Sequence, residues 1–321
     1  MPRLLIVKTS SLGDVIHNLP ILADIRAHIP EMRFDWVVEE GFADIPALHP
    51  AVASVIPVAI RRWRRRLWAP ATWREMAAAR KRIRAQRYDF ILDTQGLLKS
   101  AFIASQARGV LHGQDSASAR EPLAARFYRE QHAVPRGQHA VQRNRLLAAL
   151  ALGYAMPDSP PDYGIQSPAL APDIALPSPY VVGLHATSRD SKLWPVGHWT
   201  SLGQQLSAQG LHLLLPWGSE GEYQRALAIA VAVPQAVVLP RMRLAQLAAV
   251  LAGARAAVGV DTGLAHLAVA LGVPTVAVYT DTDPALTGLL AGNPARARNL
   301  GGAGQCPPAE SVLAALENFT A

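Results

Sequence analysis

Short apolar runs alternate with longer stretches of helical periodicity along this chain; the alternation stops at a proline-rich segment and then starts again. The first series has apolar runs at 3–8, 33–39, 53–58, 88–94 and 109–112, with helical stretches at 15–28, 72–86, 99–107 and 140–152. The second has runs at 180–185, 211–217, 236–239, 256–260 and 275–279, with helical stretches at 195–208, 222–231, 244–252 and 264–271. Strands alternating with helices of this length predict parallel sheets with right-handed crossovers. Between the series, prolines at 157, 160, 161, 168, 172, 177 and 179 sit among Asp and Ser, a composition that reads as a linker. The predicted fold class is α/β, with two Rossmann-like parallel-sheet domains facing across a cleft. Their boundaries are 1–157, a linker at 158–179, and 180–321. The last helical stretch, 309–319, is left open between the two domains.

The 321 residues exceed the ~250–300 at which a single core stops growing. A composition 50% hydrophobic and 17% charged excludes a disordered chain. The single cysteine, Cys306, excludes a disulfide framework and a cysteine-built metal site, and predicts a reducing compartment. Pro2-Arg3 leads into four apolar residues and then Lys8, too short a run for a signal peptide. No run of about 18 apolar residues occurs, so no membrane-spanning segment is expected.

Charge is unevenly placed. Residues 1–150 hold 23 Lys+Arg against 13 Asp+Glu, and residues 151–321 hold 8 against 11. The densest point is Arg61, Arg62, Arg64, Arg65 and Arg66, interleaved with Trp63 and Trp68. Such a field attracts nucleic acid, an anionic membrane surface or an acidic substrate. No helix-turn-helix or RNA-binding signature accompanies it, and a solvated helix face is the plainer alternative.

In open parallel sheets, ligands bind beyond the carboxyl ends of the strands, and the polar motifs fall there. The run at 256–260 ends in Asp261-Thr262-Gly263-Leu264-Ala265-His266. Alone, this is a capped helix with a packed histidine. Followed by a strand ending near Thr280-Asp281-Thr282-Asp283-Pro284, it reads as an anion site at a helix N-terminus. The run at 180–185 opens into Thr187, Ser188 and Lys192 before a Pro-started helix. That is a phosphate-binding arrangement or, equally, a solvated loop. Glu222 follows the strand at 211–217, where a carboxylate holds a ribose or simply favours the helix dipole. There is no Gly-x-x-x-x-Gly-Lys-Ser/Thr, which excludes a P-loop. The first strand ends in Lys8-Thr9-Ser10-Ser11-Leu12-Gly13-Asp14, and the fourth in Asp93-Thr94-Gln95-Gly96-Leu97-Leu98-Lys99. Asp14 reads first as a helix cap and second as a general base.

Taken together, the opening Val7–His17 stretch, Asp93–Ser100, the Arg-Arg-Trp-Arg run at 61–64 and Asp261–His266 resemble the ADP-heptose:lipopolysaccharide heptosyltransferases, glycosyltransferase family 9. The likeness spans nearly the whole chain in order, and the first two segments favour the branch termed heptosyltransferase I. It implies a GT-B fold and inverting transfer of L-glycero-D-manno-heptose from ADP-heptose to the first Kdo of Kdo2-lipid A. Other sugar-nucleotide enzymes of that fold, such as another heptosyltransferase or a UDP-sugar transferase or epimerase, are the alternative.

By the same resemblance Asp14 is the general base. Donor contacts fall to Thr187, Ser188, Lys192, Glu222, Met242, Asp261, Thr262, Gly263 and His266. Acceptor contacts fall to Ser10, Ser11, Gly13, Arg61, Arg62, Arg64, Lys99, Arg120 and His139. Thr280 departs from the pattern, which has glycine there. The resemblance further implies no bound cofactor or metal, with a divalent ion left open, and no nucleic-acid partner. It implies a monomer on the cytoplasmic face of the bacterial inner membrane, peripherally attached to the anionic surface.

Overall fold

The structure is a computed structural model of the chain and describes residues 1–170 and 174–319. The chain divides into two compact units, Met1–Ile165 and Gln166–Ala321. The first runs β1 (Arg3–Val7), α1 (Leu12–Ile16), α2 (Pro20–His28), β2 (Arg33–Glu39), α3 (Asp44–Ala47), β3 (Val52–Val58), α4 (Ile60–Trp63), α5 (Pro70–Arg84), β4 (Arg87–Asp93), α6 (Leu98–Ala104), β5 (Arg108–Gln114), β6 (Glu130–His132) and α7 (Ala140–Leu152). The second runs β7 (Tyr180–Leu184), α8 (Val196–Ala208), β8 (His212–Leu215), α9 (Glu220–Ala230), β9 (Ala236–Val238), α10 (Leu244–Ala252), β10 (Ala256–Val260), α11 (Gly263–Ala270), β11 (Thr275–Tyr279), α12 (Pro284–Thr287), β12 (Ala297–Gly301) and α13 (Ala309–Glu317).

Both sheets have six strands, ordered β3-β2-β1-β4-β5-β6 and β9-β8-β7-β10-β11-β12. Every pairing is parallel. The two units therefore share one topology, in which the chain reverses its direction of travel between β1 and β4 and again between β7 and β10. Ligands sit at such switch points in doubly wound sheets. The central strands are apolar because helices cover both their faces: β7, β10 and β11 are buried along their whole length.

Two features depart from the sequence expectation, and a third fixes a placement the sequence left open. Strands β6 (Glu-Gln-His) and β12 (Ala-Arg-Asn-Leu-Gly) carry no apolar run; each is an edge strand paired on one side only, so it needs no continuous burial. The expected helix at 15–28 is two helices. Pro20 lacks an amide N–H and opens α2 instead of continuing α1. The final helix packs on its own unit: Ala309, Val312 and Leu316 join Val258, Val276, Trp199 and Leu206 in one core. In the first unit, Leu5, Val7, Val37 and Ile91 of the sheet pack against Ala79 and Ile83 of α5 and Ala101 of α6.

The start of the proline-rich segment is docked. Tyr163 is buried, and the Arg145 guanidinium donates to the Ser159 carbonyl at 2.8 Å. Arg145 also grips the Asp24 carboxylate through two bonds, 2.7 and 3.0 Å, which joins α7 to α2. Both side chains are almost fully buried. Removing one member of a buried pair leaves the other charge without compensation. Arg145→Ala is expected to lower stability by ~3–5 kcal/mol, read by denaturant unfolding, and Asp24→Ala added to it should cost far less than it does alone.

Candidate active site

In the first unit, the carboxyl ends of β1 and β4 carry a connected polar cluster. Asp14 occupies the third position of α1, where Oδ2 accepts both the amide N–H and the hydroxyl of Ser11, each at 2.8 Å. This reciprocal cap fixes the carboxylate on the short turn that carries Gly13. Lys99, at the start of α6, donates to the Ser10 hydroxyl at 3.2 Å. Burial and the Arg61 charge lower the Lys99 pKa, with Glu39 raising it and Arg64 lowering it further, so Arg61, Arg64 and Lys99 form one cationic field. Arg61 also lies over the Phe42 ring at 5.4 Å.

The other members of the expected acceptor set stand differently. Arg62 is taken up by two carboxylates, Glu40 at 3.0 Å and Glu75 at 2.9 Å. Arg120 is exposed, with its backbone beside Gly96, whose φ of +66° suits glycine. His139 caps α7, accepting from the Val141 N–H at 3.2 Å, and its ring lies 5.5 Å from His17.

Two buried charges beneath this cluster have no role in the sequence reading. Asp93 ends β4 and is fully buried. It accepts from the Gln95 N–H at 2.9 Å, the Ser100 hydroxyl at 2.8 Å and the Tyr128 hydroxyl at 2.8 Å. Burial raises its pKa, and these donors oppose that rise. Tyr128 reaches it by lying flat on β5, where any Cβ at Gly113 would meet its ring at 2.4 Å. Lys8 ends β1 and donates to the Thr94 carbonyl at 2.9 Å. Burial lowers its pKa, while Asp14 and then Asp93 raise it. The usable signal was a lysine closing an apolar strand, since a buried ammonium needs charged or carbonyl partners.

In the second unit, three loops at the ends of β7, β10 and β11 converge. Lys192 meets Asp261 at 2.5 Å, and the Thr282 hydroxyl donates to the same carboxylate oxygen at 2.7 Å. The Thr187 hydroxyl donates to the Asp261 carbonyl at 2.8 Å. Ser191 donates to Asp281 at 2.7 Å, and Thr280 donates to the Ser191 carbonyl at 2.8 Å. Thr280, the departure noted in the sequence, thus ties the β11 loop to the β7 loop. Thr262 is the N-cap of α11 with no side-chain cap bond, and Gly263 is its first residue. The opening N–H groups of such a helix favour an anion. His266 is buried one turn in. Ser188 is exposed, and Met242 is half-buried just before α10. Glu222 turns back on its own loop, accepting from the Gly218 N–H at 2.7 Å.

Sequence reasoning missed Thr282 and Arg225. Thr282 lay inside the Thr-Asp-Thr-Asp-Pro turn already singled out. Arg225 had no signal: it is one polar residue on α9, yet its guanidinium donates to the His185 carbonyl at 3.3 Å and to the Trp194 carbonyl. It therefore holds both ends of the loop that carries Thr187, Ser188 and Lys192. Burial, with Arg225 beside it, pushes His185 down to about 4, so that ring is neutral at neutral pH.

The model of glycosyltransferase family 9 (heptosyltransferase) matches residues 76–314. The chain belongs to glycosyltransferase family 9. Lipopolysaccharide heptosyltransferase 1 of Pseudomonas aeruginosa is 52% identical over 287 residues, 89% of this chain and 81% of that protein. Among solved structures, the E. coli heptosyltransferase WaaC with ADP superposes at a TM-score of 0.90 with 45% identity, covering 99% of both chains. The same enzyme with ADP-2-deoxy-2-fluoro heptose gives 0.86 and 44%, covering 98% of this chain and 99% of that one. Membership makes the chain a glycosyltransferase, and its two Rossmann-like units are those of the family's GT-B fold.

The Arg225 clamp makes a ligand-independent prediction. Arg225→Gln removes two hydrogen bonds together worth ~1–3 kcal/mol. Amides of residues 186–193 should exchange about tenfold or more faster, with β7 and α9 amides unchanged, as measured by hydrogen exchange.

Proposed function

We propose that this chain performs lipopolysaccharide inner-core heptose transfer. In this reading it moves L-glycero-D-manno-heptose from ADP-heptose to the first Kdo of Kdo2-lipid A, with inversion at the anomeric carbon. The observation that carries the donor half is the meeting of Thr187, Lys192, Asp261 and Thr282 beside the first turn of α11. A nucleoside diphosphate leaving group gains negative charge as the glycosidic bond breaks. An ammonium, hydroxyls and helix N–H groups fixed beforehand stabilise that charge without reorganisation. Lys192, Thr187, Thr262 and Gly263 supply them, and Asp261 accepts hydroxyls of the heptose. Glu222, Met242, Ser188 and His266 complete the nucleotide side. Two features support the donor assignment: 52% identity to a lipopolysaccharide heptosyltransferase 1 and likeness to a heptosyltransferase solved with ADP.

Asp14 acts as the general base. Ser11 occupies Oδ2, and Oδ1, which takes no part in that cap, accepts the proton of the Kdo hydroxyl as its oxygen attacks the anomeric carbon. One carboxylate suffices for a single displacement, and a single displacement inverts configuration. Arg61, Arg64 and Lys99 receive the carboxylates and phosphates of the acceptor, with Ser10, Ser11, Gly13, Arg120 and His139 beside them. Arg62 joins them only as part of its network with Glu40 and Glu75.

Among the described residues no helix is long and apolar enough to cross a membrane. The acceptor is a lipid, and we place the enzyme as a peripheral monomer on the anionic cytoplasmic face of the inner membrane. ADP release with ADP-heptose and a soluble Kdo acceptor tests the reaction; turnover with a UDP-sugar and none with ADP-heptose overturns it. Asp14→Asn is expected to lower kcat by ~10²–10⁴, with ADP affinity by calorimetry unchanged.

A further inference from the structure

On the first unit, beside the carboxyl end of β3, a groove of about 690 Å³ lies between α5 and α6. Trp63, Trp73, Met76, Phe102 and Ile103 wall it, and Arg80, Lys81 and Arg84 stand on its rim. We propose that this groove docks an anionic phospholipid leaflet, its rings entering the boundary between headgroups and acyl chains and one phospholipid acyl chain lying along it. The inference rests on the reading of a membrane-borne acceptor and adds where the membrane is met.

Four observations carry it. Residues 73, 76, 80 and 84 recur at helical spacing on one side of α5, apolar in its first two turns and cationic in its last two. The rings project despite being apolar: Trp73 is 57% and Phe102 56% exposed, and in the preceding loop Leu67 and Trp68 are 49% and 81% exposed. The two indole donors that line the groove are already satisfied. The Trp73 indole N–H donates to the Leu67 carbonyl at 2.8 Å, and that of Trp63 donates to Glu75 at 2.7 Å. The ring faces can therefore leave water without stranding a donor. Finally, the lining contains three cations and no acid, so a phosphate layer fits it. A rim of one sign around apolar rings supplies the two signals that stable surface attachment needs.

The location is also apt. Phe102 lies one turn after Lys99 on α6, and Trp63 sits between Arg62 and Arg64. A leaflet seated on the groove would bring lipid headgroups to the level of the acceptor-binding cations.

Pelleting with vesicles that contain no acceptor isolates this docking from catalysis. The wild type is expected to pellet with phosphatidylglycerol–phosphatidylethanolamine vesicles and much less with phosphatidylcholine vesicles. Trp73→Glu with Phe102→Glu should weaken partition about tenfold or more. Arg80→Gln, Lys81→Gln and Arg84→Gln together should weaken the dependence on phosphatidylglycerol, and an unchanged dependence overturns the role of the rim. Both variants should keep wild-type kcat/KM toward a soluble, acyl-free Kdo acceptor, which also shows that they fold. Unchanged pelleting of the ring variant overturns the proposal. So does a wild-type dimer in lipid-free solution that the ring variant dissolves, because the groove would then be a contact between copies of this chain. A wild type that pellets as expected but transfers no heptose to the soluble acceptor would sink the proposed reaction and leave the docking face standing.

Discussion

A parallel β ladder is the constraint on which everything else here depends. Strands that all run one way must each be followed by a crossover, so every strand leaves its sheet at the same edge. With the order β3-β2-β1-β4-β5-β6 in one unit and its equivalent in the other, the loops after β1 and β4, and after β7, β10 and β11, are forced into proximity. Residues 69 and 89 positions apart in sequence, Lys192 with Asp261 and Ser10 with Lys99, meet for that reason alone. The chemistry was placed by topology before any side chain was chosen.

What topology brings close, buried charge then fixes. Asp93 organises the loop after β4 by accepting from a backbone N–H and two hydroxyls. Lys8 donates to the carbonyl of the very next residue, Thr94. In the second unit Arg225 does the equivalent for the loop after β7, bonding its two ends. Each group loses hydration on burial, and each recovers it through partners that hold a loop in one conformation. The cost of leaving such a group unpaired is what makes these loops specific rather than merely close.

This division explains what could be read from the sequence. Central strands were legible because burial on both faces demands continuous apolar runs, as in Val-Gly-Leu of β7 or Thr-Val-Ala-Val-Tyr of β11. The edge strands β6 and β12 were not, because pairing on one side only asks little of the side chains. The polar motifs were legible as candidates since they interrupt apolar runs at strand ends. Their partners were not: nothing local marks Arg225 on α9, and Arg62 looks no different from Arg61 or Arg64 until Glu40 and Glu75 are seen beside it. Pairing over long separations is a property of the fold, and a local pattern does not carry it.

The two units also handle charge in opposite ways, and on the proposed reading this fits the two substrates. In the second unit Lys192 is balanced by Asp261, within a ring of hydroxyls from Thr187, Thr282 and Ser191. A site with little net charge but many fixed dipoles holds a diphosphate without binding it so tightly that the product cannot leave, and it matches the charge best as the bond breaks. In the first unit Arg61, Arg64 and Lys99 crowd together strongly enough that the Lys99 pKa is lowered, chiefly by burial and then by Arg61. Cations in excess over the nearby Glu39 and Glu121 suit an acceptor that arrives already bearing several anions and is presented at an anionic surface, where long-range attraction helps bring the partners together. Neutralising Arg61 should then raise the Lys99 pKa towards its ordinary value, because one of the charges opposing its proton would be gone.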